Sequence, residues 1–206
     1  GLLAGIDQQY QDRAGREKAL GRDAKALQDL LARLRAAAAK AAREAARAKA
    51  EASRQQATPG KPSSRPPTRR TTVASAPVLR VGGLGWPVAG SLLASFGGRL
   101  PDGRRSDGVL IGAAAGTTVK AVADGTVVYA DWMTGYGNIL IIDHGNGYMS
   151  LYAHNDGLLK DAGDAVKRGD SVASVGTSGG QDSPALYFEL RRNGSPVNPA
   201  GWLTRQ

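Results

Sequence analysis

The sequence predicts a helical arm followed by a mainly β domain, and three observations predict it. Residues 1–57 contain no proline and are dominated by Ala, Leu, Lys, Arg, Gln and Glu, the strong helix formers. Residues 58–80 carry five prolines and five basic residues without one acid. Residues 81–206 hold 23 of the 28 glycines, set between short apolar runs. The formal net charge of +9 divides the same way. Residues 1–80 have 17 basic and 7 acidic side chains, and residues 81–206 have 10 and 11. The folded part is therefore close to neutral. With no recognition motif or aromatic stacking platform beside the charge, nucleic acid is excluded as a partner. The absence of cysteine excludes disulfides, thiolate metal sites and cysteine nucleophiles. No apolar run approaches the roughly 20 residues of a membrane span. The chain opens at Gly1 with no Met and no charged-then-apolar leader, and so reads as a fragment whose targeting segment, if any, has been removed.

In the arm, residues 1–57, apolar positions step by four and three from Leu20 through Ala24, Leu27, Leu31, Leu34, Ala38, Ala41, Ala45 and Ala48 to Ala52. This is the spacing of a coiled-coil seam. Run backwards, the phase reaches Leu3, Ile6 and Tyr10 but breaks at Arg13 and Glu17, near Gly15 and Gly21. Each glycine costs about 1 kcal/mol relative to alanine in a helix. The expectation is two helices, or one interrupted helix, left from a coiled coil. Leu27, Leu31 and Leu34 can each bury about 1.5–3 kcal/mol of apolar surface, the later alanines far less. Such a helix is either a solvated spacer or an arm docked on a partner surface. Residues 58–80 read as an extended basic linker, roughly 75 Å long when stretched, which would let the arm fold back.

The domain at 81–206 reads as strands. Val119 to Trp132 is expected to form a hairpin about Asp124-Gly125. Asn138–Asp143 and Tyr148–His154 flank the turn Gly145-Asn146-Gly147, and Ser171–Val175 and Ala185–Arg191 follow. His144 and His154, the two histidines, could lie close together or on opposite faces of that second hairpin. In the last long strand Ala185, Tyr187, Glu189 and Arg191 share one face.

The run DGVLIGAAAGTTVKAVADGTVVYADWMTGYGNILIIDHGNGYMSLYAHN, with GDSVASVGTSGGQDSPALYFELRRNGSPVNPAGWL after it, resembles the LytM (lysostaphin-like) zinc endopeptidase family over about residues 86–203. The resemblance implies an antiparallel β sandwich of the duplicated-hybrid-motif kind. Active members carry His-x-x-x-Asp and His-x-His. Aligned here, the first His falls at Ser106, the Asp at Leu110, and the His-x-His at Ala185 to Tyr187. The metal-ligand positions are thus Ser106, Leu110 and Tyr187, a degenerate set. His154 matches a family histidine that assists catalysis without binding metal, and His144 one that is generally not catalytic. The expectation is a non-enzyme with no catalytic residues, metal or cofactor.

A degenerate LytM domain behind a coiled coil and a basic linker is the pattern of the murein hydrolase activators. The resemblance implies a periplasmic protein of the division septum. It would switch on an N-acetylmuramoyl-L-alanine amidase in peptidoglycan splitting, with recruitment by the FtsEX complex through the coiled coil and possible contact with peptidoglycan. The expected amidase-binding groove comprises Leu110, Tyr136, Ile139, Tyr152, His154, Ala185, Tyr187 and Arg191. The expected regulatory arm, about residues 30–57, covers it through Leu31, Leu34, Ala38, Ala41 and Ala45. Two other readings stay open: an active LytM-type zinc metalloendopeptidase and a passive peptidoglycan-binding module.

Overall fold

The structure, a computed structural model, describes residues 2–55, 79 and 83–204. The predicted linker at 58–80 lies outside the described residues, Leu79 apart. Helix α1, Leu2–Gln55, is one uninterrupted helix of 54 residues. The expected break near Gly15 and Gly21 does not occur. Gly21 has no atom within 4 Å of where a side chain would begin, so it serves no close approach. A break would forfeit hydrogen bonds and require a second nucleation, a larger cost than the two glycines impose. The side chains of Leu3, Ile6, Tyr10 and Leu20 are outside the described set.

Among the described residues ten strands follow: β1 (Ser91–Ala94), β2 (Val109–Gly112), β3 (Thr118–Lys120), β4 (Gly125–Met133), β5 (Gly137–Gly145), β6 (Tyr148–Leu158), β7 (Ala165–Val166), β8 (Ser171–Val175), β9 (Ala185–Arg192) and β10 (Ser195–Val197). The main sheet runs β1-β2-β9-β6-β5-β4-β7, with β10 beside β9 and the β3–β8 pair joined to the far end of β6. All the named strand pairs are antiparallel. The β5–β6 hairpin closes at Gly145 and Tyr148, with Asn146 and Gly147 at φ 53° and 80°, the left-handed pair such a turn requires.

The hairpin expected about Asp124-Gly125 is absent. β3 pairs with β8, and β4 pairs with β5 and β7. The Ala121-Val122-Ala123 link is buried in the core instead of crossing between paired strands. Asp124 is a pin: its carboxylate accepts the Arg168 N–H at 2.8 Å and the Lys167 ammonium at 3.1 Å.

Both faces of the main sheet are covered. On one, Ile111, Leu140, Ile142, Tyr152, Leu186 and Phe188 pack beneath Val119 of β3 and Val172 and Val175 of β8. On the other, Leu110, Ile139, Ile141, Leu151, Ala153 and Tyr187 pack beneath Leu27 and Leu31 of α1. This double cover leaves β9 buried from Ala185 through Arg191, with no alternation between wet and dry faces.

Candidate binding groove beneath the helix

Strand register builds the floor of the groove. Leu110 of β2 lies opposite Tyr187 of β9, which lies opposite Ala153 of β6. One step along, Glu189 faces Leu151, which faces Ile141; beyond it Arg191 faces Met149. Leu110 and Tyr187, two of the three positions at which the resemblance expects metal ligands, are thus cross-strand neighbours. Tyr136 enters from the β4–β5 turn with its ring centroid 6.2 Å from that of Tyr187. The Arg104 guanidinium lies over Tyr136 at 5.3 Å.

A buried polar row runs along β9. The Tyr187 hydroxyl donates to Glu189 Oε1 at 2.8 Å, and Arg191 Nε donates to Glu189 Oε2 at 2.6 Å. Arg191 also donates to the Gly194 carbonyl at 3.0 Å. Glu189 and Arg191 are 1% and 4% exposed, so each charge depends on the other. Burial and the neighbouring Glu189 carboxylate raise the Tyr187 phenol well above its ordinary range. Burial first, and Glu189 second, push Tyr136 up to about 12. Both phenols are therefore uncharged at pH 7. His154, buried at φ 63°, donates from Nδ1 to the Ser178 carbonyl at 2.8 Å, and burial holds its pKa below 6.5.

Helix α1 occupies this floor. Leu27 and Leu31 are 1% and 2% exposed within the cluster of Leu110, Tyr136, Ile139 and Tyr187, and Leu30 and Leu34 pack at its margin. Polar contacts flank the leucines. A side chain at Gly135 would strike the Asp23 carboxylate, and one at Gly194 would overlap the Arg35 guanidinium, so the helix lies directly on both turns.

Several expectations need correction against this geometry. Tyr152 is not in the groove. It points into the opposite core, where its ring packs on Phe188 and its hydroxyl accepts the Val122 N–H at 3.1 Å. The helix contact centres on Leu27 to Leu34, not on residues 30–57. Ala38 is half-buried, Ala41 only lines an open cleft with Val128 and Val166, and Ala45 is exposed, because a methyl group offers little area to bury. His144 and His154 lie at opposite ends of the β5–β6 ladder. His144 is structural: Nδ1 donates to the Asp124 carbonyl, Nε2 meets the Ser150 hydroxyl, both at 2.7 Å, and Ser150 meets Tyr152 at 3.0 Å.

The sequence reading missed Ile141, Met149, Leu151 and Ala153 in the groove, and gave Glu189 no role. Alternation from Ile139 points to Ile141, whereas on β6 the choice of Tyr152 and His154 selected the other face from Met149, Leu151 and Ala153. Leu110, Tyr136, Ile139, Ala185 and Tyr187 do come together in one cluster. His154 borders it at 6.2 Å from the Tyr187 ring, and Arg191 joins it through Glu189.

A catalytic zinc takes three protein donors and keeps one position open for water. At the aligned positions the Ser106 hydroxyl donates to the Gly108 carbonyl at 2.9 Å, Leu110 offers hydrocarbon, and Tyr187 is a protonated phenol committed to Glu189. That donor set does not fit zinc.

Residues 104–199 match the family model for Peptidase family M23. A crystal structure of a zinc-containing peptidase from Vibrio cholerae matches with a TM-score of 0.52 and 28% identity, over 57% of this chain and 39% of that one. Over those residues the β domain is similar to the M23 family, and its antiparallel sheet is like that of this structural neighbour. Among curated relatives, the chain is 49% identical over 133 residues to murein hydrolase activator EnvC of Escherichia coli, covering 61% of this chain and 32% of that protein. It is 40% identical over 142 residues to the lipoprotein NlpD/LppB homolog of Pseudomonas aeruginosa, covering 68% of this chain and 46% of that one. The chain thus spans less than half the length of these relatives.

Proposed function

We propose that this protein is a non-catalytic activator of peptidoglycan-cleaving N-acetylmuramoyl-L-alanine amidases, held off by its own helix. The observation that carries the reading is the position of Leu27 and Leu31. They fill the groove that, in an M23 fold with metal donors, would serve the chemistry. An apolar floor with tyrosines and a buried arginine is the composition of a protein-binding hot spot. The kinship with a protein named murein hydrolase activator supports the same class of activity, and a periplasmic setting is part of this proposal.

In this reading an amidase element takes the place of the two leucines and is stabilised in its active conformation, which needs only preferential binding to that state. The tethered helix competes at high effective concentration, so the resting state is off. A pull transmitted along α1 from an FtsEX-type membrane complex would lift the leucines out. Leu110, Tyr136, Ile139, Ala185, Tyr187 and Arg191 would form the working surface, with His154 at its border.

The test is dye release from labelled sacculi, with amidase and protein added singly and together. Release only with both supports the reading, and Tyr187→Ala or Arg191→Glu should abolish it. Release by this protein alone would mark a zinc peptidase, and sacculus binding with unchanged amidase rates a passive module.

A further inference from the structure

The face of α1 turned away from the groove carries a pattern that the groove does not use. At 3.6 residues per turn, eleven of residues 18–54 fall within an arc of about 80° on the helix surface. Eight are cationic: Lys18, Arg22, Lys25, Arg33, Lys40, Arg43, Arg47 and Arg54. The other three are Asp29, Ala36 and Glu51. Glu44 sits at the edge of the arc, 4.0 Å from Lys40. All eight cations are exposed. The arc is roughly opposite Leu27, Leu31 and Leu34, so docking of the helix turns the row outward. With a rise of 1.5 Å per residue, the row is about 54 Å long.

We infer that this row is a docking surface for a bilayer bearing anionic phospholipids. A protein partner needs apolar or aromatic anchors at the centre of its interface, and Ala36 is the one apolar residue in the row. A straight line of long cationic side chains without anchors matches a flat, laterally mobile array of phosphates, in which anionic headgroups gather beneath each charge. Nothing on this face can insert among acyl chains, so binding is peripheral and electrostatic and is released by salt. The groove-facing leucines and the outer row lie on different sides of one helix. The protein can therefore rest on a membrane with its arm still latched, the sheet held away from the lipid. This inference stands apart from the proposed amidase activation and survives its failure.

The experiment is vesicle co-sedimentation of the full chain. Vesicles of phosphatidylcholine alone are compared with vesicles containing about 30% phosphatidylglycerol, at about 0.05 M and about 0.5 M salt. The expected result is binding to the anionic vesicles in low salt only. Lys40→Glu/Arg43→Glu/Arg47→Glu should weaken it by about tenfold or more. The matched reversal of three cations outside the row, Lys49→Glu/Lys120→Glu/Lys160→Glu, should retain most of it. A glutamine version of the row variant should fall between, with circular dichroism confirming an intact helix. Equal loss in the row and matched variants would overturn the inference, since binding would then follow net charge or the linker. Sedimentation with sacculi but not with anionic vesicles would also overturn it.

Discussion

Replacing Leu27 and Leu31 by alanine should free the helix without unfolding the domain. Each leucine is almost fully buried against the sheet, and its truncation removes about 2 kcal/mol of apolar burial. Together they shift the docked-to-free ratio by about 4 kcal/mol, roughly a thousandfold. In a closed core the cavity left behind would add to this. Here the helix can leave, so the cost to the domain is capped at the free energy of docking. The chain has no cysteine, which permits clean labelling. Nitroxides at Ala42→Cys and Ser195→Cys, both exposed positions, would report the separation of helix and domain. One narrow distance distribution is expected with the leucines present and a broad one with both replaced. The same narrow distribution in the double variant would refute the reasoning, because the two leucines would not be what holds the helix.

Other consequences follow from the buried polar groups. Tyr187→Phe leaves one oxygen of a buried carboxylate without its donor and should cost about 1.5–3 kcal/mol in chemical denaturation. Arg191→Ala strands the Glu189 charge and should cost about 3–5 kcal/mol. An unchanged denaturation midpoint in both would mean that the row along β9 is not buried as described. Burial lowers the pKa of His144 and of His154, so the unfolded chain binds protons more readily. Stability should be complete above about pH 6.5 and fall as the pH drops toward the depressed folded values. His144→Gln should flatten the slope of urea midpoint against pH between about 5 and 7, and an unaltered slope would exclude that role. Ser106→His/Leu110→Asp/Tyr187→His should create zinc binding measurable by elemental analysis, whereas the natural chain should purify without stoichiometric zinc. Stoichiometric zinc in the natural chain would contradict the donor argument.

The division into helix and β domain was legible because proline, glycine and helix formers are segregated along the chain. The leucine seam was legible too, since Leu27, Leu31 and Leu34 keep a coiled-coil spacing although the partner surface is a sheet. Tyr152 was placed wrongly for a definite reason. β6 is buried on both faces, so Tyr152 and its neighbours Leu151 and Ala153 all look like core residues. Periodicity alone cannot then say which side faces the helix. The Asp124-Gly125 turn misled because a short local signal lost to long-range pairing of β3 with β8. The continuous helix was missed because two glycines were weighed without the bonds that a break would forfeit. The buried partnership of Tyr187, Glu189 and Arg191 follows from alternation, but their burial depends on α1, far away in sequence.

The central claim is that the floor beneath Leu27 and Leu31 is the working surface and that the helix closes it. A disulfide between Asp23→Cys and Gly135→Cys would test this directly. The Asp23 Cβ lies 3.1 Å from where a Gly135 side chain would begin, so a shift of the helix by a few tenths of an ångström brings the pair into the usual disulfide range of about 3.5–4.5 Å. Amidase-dependent dye release from labelled sacculi would be measured with the bridge formed and again after reduction. The account predicts no stimulation from the locked protein and recovery of stimulation on reduction. Equal stimulation in both states would contradict it, since the groove beneath the helix would then not be the surface that activates.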